Sequence, residues 1–158
     1  YEIAQCLVGS EMCKETVEVL KVQNFEELAI YQKSCYLATR VNKVTRTGEF
    51  KFDTRFVQQV RASSGSVSDN IAEGFERQGN KEFINFLLYR QGLLWGIENQ
   101  VNRAHNVGFI DDDAFNQMFV DCKKLPAGIL NMINVLKKAE VKGSRYANPS
   151  TPSNSSNK

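Results

Sequence analysis

The chain has 158 residues, of which 24% are charged and 42% hydrophobic, and its formal net charge at pH 7 is +2. This size and composition are typical of one soluble globular domain with its own apolar core. Because residues 143–158 contribute Arg145 and Lys158 without any acid, residues 1–142 sum to zero, which excludes the strongly basic composition of a dedicated nucleic-acid binder.

Residues 1–23 are predicted to form an N-terminal extension. Ile3, Leu7, Val17 and Leu20 fit one amphipathic helix, but Gly9 and Ser10 weaken that pattern. Both a docking arm and a mobile extension therefore remain open for this segment.

The first helix of the main domain is predicted over residues 25–44. Apolar positions recur three and four residues apart along it, which is the spacing of a helix that buries one face. This predicted seam comprises Leu28, Tyr31, Cys35, Ala38 and Val41.

The second predicted helix begins near Asp53, a good N-cap. One stripe of it is predicted to be buried, and Phe75 continues it: Phe56, Val60, Ser64, Val67 and Ile71. A polar line runs beside this stripe: Gln59, Ser63, Ser66, Asn70, Glu73 and Arg77. The run ASSGSVS within this helix is small almost throughout, so another helix can approach it closely.

The third predicted helix follows Gly79, with Asn80 as a candidate N-cap, and covers about residues 81–106. Its predicted core positions are Phe83, Phe86, Leu87, Leu94, Ile97 and Val101. Gly92 and Gly96 are four residues apart and share one face, which indicates a second surface for close approach.

The fourth predicted helix opens at Asp111, which is expected to cap it. Its predicted seam is Phe115, Met118, Cys122, Leu125, Ile129, Met132 and Leu136. Pro126 is expected to kink this helix or to split it near Lys124. Residues 143–158 are rich in Ser, Asn and Pro and are predicted to be a disordered tail.

Four apolar-striped helices joined by short connections predict an all-α fold, an antiparallel up-down four-helix bundle over residues 24–142. No apolar run is long enough to cross a membrane, and the first residues lack the pattern of a signal peptide. The four cysteines form neither a C-x-x-C pair nor a zinc pattern, so they are interpreted as reduced. The predicted location is the cytoplasm, with no membrane partner.

No nucleophile, zinc-protease, phosphate-loop or dinucleotide fingerprint occurs in the chain. The one histidine, His105, shares a helix face with Glu98, but two ligands do not make a bundle metal site. We therefore expect no enzyme activity, no catalytic residue, no metal and no cofactor.

Glu73 has two interpretations. The simpler one pairs it with Arg77, four residues later on the same helix, which contributes little stability if the pair is exposed. The alternative is a hydrogen-bond network with Asn70 that specifies which helix docks and in which register. Structural or assembly use is favoured over catalysis.

Three stretches of the chain resemble one known family: NFEELAIYQKS (24–34), VRASSGSVSDNIAEGFERQGNKEFINFL (60–87) and GFI (108–110). They are similar to the four-helix-bundle proteins encoded in bacterial 23S rRNA intervening sequences, whose most specific run is N-I-A-E-G at the end of a small-residue helix. The resemblance covers about residues 24–140. Family-motif or assembly residues carried over are Asn70, Glu73, Gly74, Gly92 and Glu98.

The resemblance implies a compact bundle that forms ring-shaped homo-oligomers, with a pentamer as the expected number. More distantly, the chain is similar to accessory proteins of diversity-generating retroelements, which bind a reverse transcriptase and nucleic acid through basic surfaces. On that basis the candidate nucleic-acid contacts are Arg61, Arg77, Lys81, Arg90 and Arg103.

Two functions follow as hypotheses. The first is a non-enzymatic oligomeric module that binds RNA or DNA, or a ribonucleoprotein partner, because a ring multiplies weak local sites. The alternative is a protein-interaction scaffold, which the near-zero charge of residues 1–142 favours, or an accessory subunit of a reverse transcriptase.

Overall fold

The computed structural model describes residues 22–77 and 79–141, except for the side chains of residues 89–91 and 139–141. Four helices make up this part: α1 (Ala29–Val44), α2 (Thr54–Glu76), α3 (Asn80–Asn106) and α4 (Asp112–Val141). Short 3-10 helices stand at Phe25–Glu27 and Phe50–Phe52, and the described ranges contain no strand. The all-α prediction is confirmed, whereas the predicted extension, apart from residues 22 and 23, and the predicted tail lie outside the described residues.

Contacts between α2 and α3 show that the two helices run in opposite directions. The Gln100 amide donates to Ser63 Oγ at 3.1 Å, and the Arg103 guanidinium donates to Gln59 Oε1 at 3.4 Å. The helices α3 and α4 also run in opposite directions, since Glu98 pairs with Lys123 and the later His105 pairs with the earlier Asp112. Arg40 on α1 pairs with Asp121 on α4. The antiparallel up-down bundle is therefore confirmed.

The predicted core stripe of α2 is buried from Phe56 to Ile71, and Phe75, which continues it, is half-buried. In α3 and α4 most predicted seam positions are buried as well, and only Phe86 and Phe115 remain half-buried. Burying these stripes against one another removes apolar surface from water, which is the main force that holds four amphipathic helices together.

Three positions of the seam predicted for α1 were wrong, because Tyr31, Cys35 and Ala38 are only half-buried. The residues one position earlier, Ile30, Ser34 and Leu37, are buried in their place. Leu28 and Val41 are buried as predicted. Ser34 is tolerated in the core because its hydroxyl donates to the Tyr31 carbonyl at 2.6 Å, so no polar group is left unsatisfied.

Two of the three capping predictions are confirmed. Asp53 Oδ1 accepts from the Phe56 amide at 3.0 Å, and Asp111 Oδ1 accepts from the Ala114 amide at 2.8 Å. The prediction that Asn80 caps α3 was wrong, because Asn80 is the first residue of that helix and Gly79 occupies the cap position with a φ of 135°.

Pro126 was predicted to kink the last helix or to split it, and the split is contradicted, because α4 is continuous from Asp112 to Val141. Proline removes one amide donor from the helical ladder. Leu125 and Ile129, on either side of it, are both buried in the shared core, and this packing holds the two halves in one helix. No described helix combines the length and the apolar composition that crossing a membrane requires.

Candidate functional site

The N-I-A-E-G end of α2 packs closely on the beginning of α3. Gly74 is buried, and a Cβ at this position would lie 3.0 Å from Phe86 Cβ and 3.1 Å from Phe83 Cδ2. Only glycine lets the two backbones come this near without displacing the aromatic side chains. Close helix approach, expected from the sequence, therefore occurs here within one chain.

The polar line of α2 divides into two parts. Gln59 and Ser63 reach across to α3, as described above, and so help to set the register of these two helices. Asn70 instead donates to the Ser66 carbonyl in its own helix, and Glu73 pairs with Arg77 at 2.5 Å. Because about half of each of these two side chains is exposed (52% and 53%), Glu73 follows the simpler of its two interpretations.

Glu98 joins α3 to α4. Its Oε1 accepts from Lys123 Nζ at 2.7 Å, and the Glu98 side chain is 21% exposed. Beside this pair, burial raises the pKa of the Cys122 thiol to about 12, and the charges of Glu98 and Asp121 act in the same direction. Cys122 therefore stays protonated at neutral pH and serves as a small core residue.

Arg61 anchors the end of α1. Its Nε donates to Thr45 Oγ1 at 2.8 Å, and the buried Thr45 hydroxyl in turn donates to the Val41 carbonyl at 2.7 Å. This contact ties α2 to the carboxyl end of α1, where a cation is favourable.

The candidate nucleic-acid contacts do not all gather into one patch. Arg77 pairs with Glu73 and lies over the Phe86 ring near the α2–α3 connection. Arg103 lies over the Phe56 ring at 3.7 Å, toward the opposite end of the bundle.

Lys81 is exposed, and no ion pair between described residues involves it. The Arg90 side chain lies outside the described residues. Three of the four described candidates therefore already make contacts within the chain.

The outer face of α3 is the most distinctive exposed apolar surface of the described chain. We define it by Leu88, Gly92, Trp95 and Gly96. Trp95 is 69% exposed and Leu88 is 45% exposed. A Cβ placed on Gly92 or on Gly96 would meet nothing within 4 Å, so both glycines face open space. The two glycines drew attention in the sequence, whereas Trp95 was missed, although it lies off the α3 seam and next to Gly96.

Metal chemistry has little support in the described part of the chain. No group of three or more His, Cys, Asp and Glu side chains there could hold a metal ion. His105 Nε2 lies 2.8 Å from Asp112 Oδ1 and its ring stacks on Phe115, while Glu98 is engaged by Lys123. The structure therefore does not bring the two candidate ligands Glu98 and His105 together.

Comparisons with known proteins agree on one family. The model of the family described as 23S rRNA-intervening sequence protein matches residues 26–131. A solved structure of a protein of unknown function from the S23 ribosomal protein family of Bacteroides thetaiotaomicron VPI-5482 is 18% identical in sequence. It superposes with a TM-score of 0.55 and covers 66% of this chain and 90% of that chain. No curated protein matches the chain.

Proposed function

Because the chain belongs to the 23S rRNA-intervening sequence protein family, we propose that it is a non-enzymatic module that forms a ring-shaped homo-oligomer and binds nucleic acid in that form. The observation that carries the proposal is the outer face of α3, an apolar surface that no part of the described chain covers. The expected ring is a pentamer.

The occupant that we assign to this face is a second copy of the same chain. Trp95 projects from the face, and Gly92 and Gly96 beside it leave space that no described atom fills. Small residues let a second helix approach closely, and an indole buried against it contributes a large apolar area. In a ring each copy uses two different surfaces, so this face packs against another face of the neighbouring copy.

Assembly gives a weakly basic subunit a route to useful affinity. Of the candidate nucleic-acid contacts, Arg61, Arg77 and Arg103 already contact neighbouring side chains, so each is a weak site by itself. Several copies in one ring present the remaining cations together, and linked weak sites bind far more tightly than one site alone. The free Cys35 and Cys122 thiols support a reducing compartment, and we place the protein in the cytoplasm.

Sedimentation velocity tests the assembly. Wild-type protein should sediment as an oligomer, and Trp95→Glu should shift it toward the monomer, because burying an unpaired carboxylate in an interface is costly. Leu130→Glu is the matched control, since Leu130 is a 49% exposed apolar residue on α4 and its variant should assemble normally. A monomeric wild type, or a Trp95→Glu variant that assembles like wild type, would contradict the assignment.

A second candidate function is a protein-interaction scaffold, including an accessory subunit of a reverse transcriptase. The contacts that Arg61, Arg77 and Arg103 make within the chain favour a scaffold over nucleic-acid binding. Filter binding to RNA and DNA at low salt separates the two, because nucleic-acid affinity should be present and should fall steeply as salt rises. An oligomer without such affinity, together with a protein partner retained after nuclease treatment, would favour the scaffold.

A further inference from the structure

The connection between α1 and α2 presents an aromatic ring to solvent from an ordered turn. Phe52 is 74% exposed, although it belongs to the 3-10 helix Phe50–Phe52. The backbone of this turn is held by a hydrogen bond that the Phe52 N–H donates to the Glu49 carbonyl. Two residues earlier, Phe50 is buried and stacks on Phe109 at 4.9 Å between ring centroids. The buried Phe50 anchors the turn, so the exposed Phe52 ring is held in place on it.

Three cations lie within six positions of this ring in the sequence, and one of them lies beside it in space. Lys51 Nζ lies 4.9 Å from the centroid of the Phe52 ring. Arg46 in the same connection and Arg55 in the first turn of α2 are also exposed. None of the ion pairs between described residues involves these three cations. We call Arg46, Lys51, Phe52 and Arg55 the loop platform.

The nearby acids do not cancel the platform. Asp53 uses its carboxylate to cap α2, where Oδ1 accepts from the Phe56 amide. Asp53 keeps its charge while it caps the helix, so Glu49 and Asp53 offset two of the three cations and leave residues 46–55 at +1. An exposed aromatic ring with three cations within six positions of it is therefore the local basic site that the near-zero total charge of the domain permits.

We infer that the loop platform binds single-stranded nucleic acid, with an unpaired base stacked on Phe52 and the adjoining phosphates beside Arg46, Lys51 and Arg55. This inference rests on the proposed binding of nucleic acid and adds the class of ligand and its site. An exposed ring offers a face to any base, whereas bases within a duplex are already stacked on one another. The site is separate from the outer face of α3, so assembly leaves it free to bind.

A membrane surface is the competing partner for an exposed aromatic among cations, and two observations disfavour it. Phe52 is a single apolar side chain, and stable membrane attachment needs more buried apolar area. Asp111, Asp112 and Asp113 are exposed. They lie at the same end of the bundle as the loop platform, since Phe50 of the connection stacks on Phe109, shortly before them in the chain. These acids would be repelled by a broad anionic surface, whereas a narrow single strand can follow the basic connection and avoid them.

Fluorescence anisotropy with the full chain tests the inference. The probes are fluorescein-labelled oligouridine and oligothymidine of roughly 15 nucleotides, within the usual site sizes for single strands, and a duplex of the same length. Both single strands should bind more tightly than the duplex at low salt. Comparing the two single strands shows whether RNA or DNA is preferred.

Phe52→Ala should weaken single-strand binding roughly 5- to 150-fold, the loss expected for one stacked base, and Phe52→Trp should retain it. Lys51→Glu and Arg55→Glu should each weaken binding. Each should also make the negative slope of log affinity against log salt less steep, by about 0.7. Leu130→Ala is the control for removing an exposed apolar side chain, and its affinity should equal that of wild type. Circular dichroism checks that each variant is folded.

The outcomes separate this inference from the proposed function. Unchanged single-strand affinity in Phe52→Ala, or preference for the duplex, would overturn the platform and leave nucleic-acid binding standing. An assembled wild type without affinity for any of the three probes would overturn both. Sedimentation with phosphatidylserine vesicles that Phe52→Ala abolishes, without oligonucleotide binding, would assign the platform to a membrane instead.

Discussion

The two faces of α3 carry similar residue types and have opposite surroundings. On the inner face Leu94, Ile97 and Val101 are almost completely buried against the other helices. On the outer face Trp95 is as apolar as these residues, yet it is mostly exposed. A large apolar residue on α3 therefore stabilises the folded chain on one side and is available for contact between copies on the other.

Glycines show the same contrast between two regions. Gly74 is required by space, because the phenylalanines of α3 occupy the position that its Cβ would fill. Gly92 has open space around it, so within one chain it only loses helix propensity, by roughly 1 kcal/mol relative to alanine. Open space at this glycine is what the proposed contact between copies requires.

The largest expected effect comes from the inner face. Ile97→Ala should lower the free energy of unfolding by about 2–5 kcal/mol, because Ile97 is 0% exposed and its removal leaves a cavity. Urea denaturation followed by circular dichroism at several protein concentrations measures the loss, which should be present at each of them.

Trp95→Ala is the matched variant on the outer face. Its effect should be seen only where assembly contributes, so the difference from wild type should shrink as protein concentration falls. Equal losses for the two variants at all concentrations would break the distinction between the faces.

The next effect concerns the glycines. Gly74→Val should destabilise the fold by about 1–3 kcal/mol, because a side chain there overpacks the contact with Phe83 and Phe86. The same urea measurement on Gly92→Ala should show a gain of up to about 1 kcal/mol from helix propensity. A stable Gly74→Val variant would show that α2 and α3 can separate at this end without cost.

The smallest effect distinguishes two ion pairs. Glu98→Gln breaks the contact between α3 and α4 and should cost about 0.5–1 kcal/mol, because the Glu98 side chain is largely covered. Glu73→Gln breaks an exposed pair within α2 and should cost less than about 0.5 kcal/mol. Thermal unfolding of the two variants side by side compares them. A larger loss for Glu73→Gln would return this residue to the network interpretation.

Periodicity alone located most of the core. The α2 stripe is buried from Phe56 to Ile71, and the α4 seam is buried from Met118 to Leu136. Local chemistry located the helix starts at Asp53 and Asp111, since a cap is made with the next residues in the chain.

The failures of prediction have equally specific causes. The α1 seam was displaced because Ser34 reads as polar, and only the folded helix shows that its hydroxyl is satisfied by Tyr31. Pro126 reads as a break, and only packing around Leu125 and Ile129 keeps α4 continuous. The loop platform escaped attention because its cations are scattered over ten positions, from Arg46 to Arg55, and the exposure of Phe52 is not a property of sequence.

The sequence by itself determined four amphipathic helices, their order, the ends set by capping residues and the family motif. The tertiary structure decided which glycine is enclosed, which cations are already engaged and which aromatic residues face solvent. The physical reason is one of range. Helix spacing and capping depend on residues within a few positions of one another, whereas enclosure and exposure depend on which distant segment packs alongside.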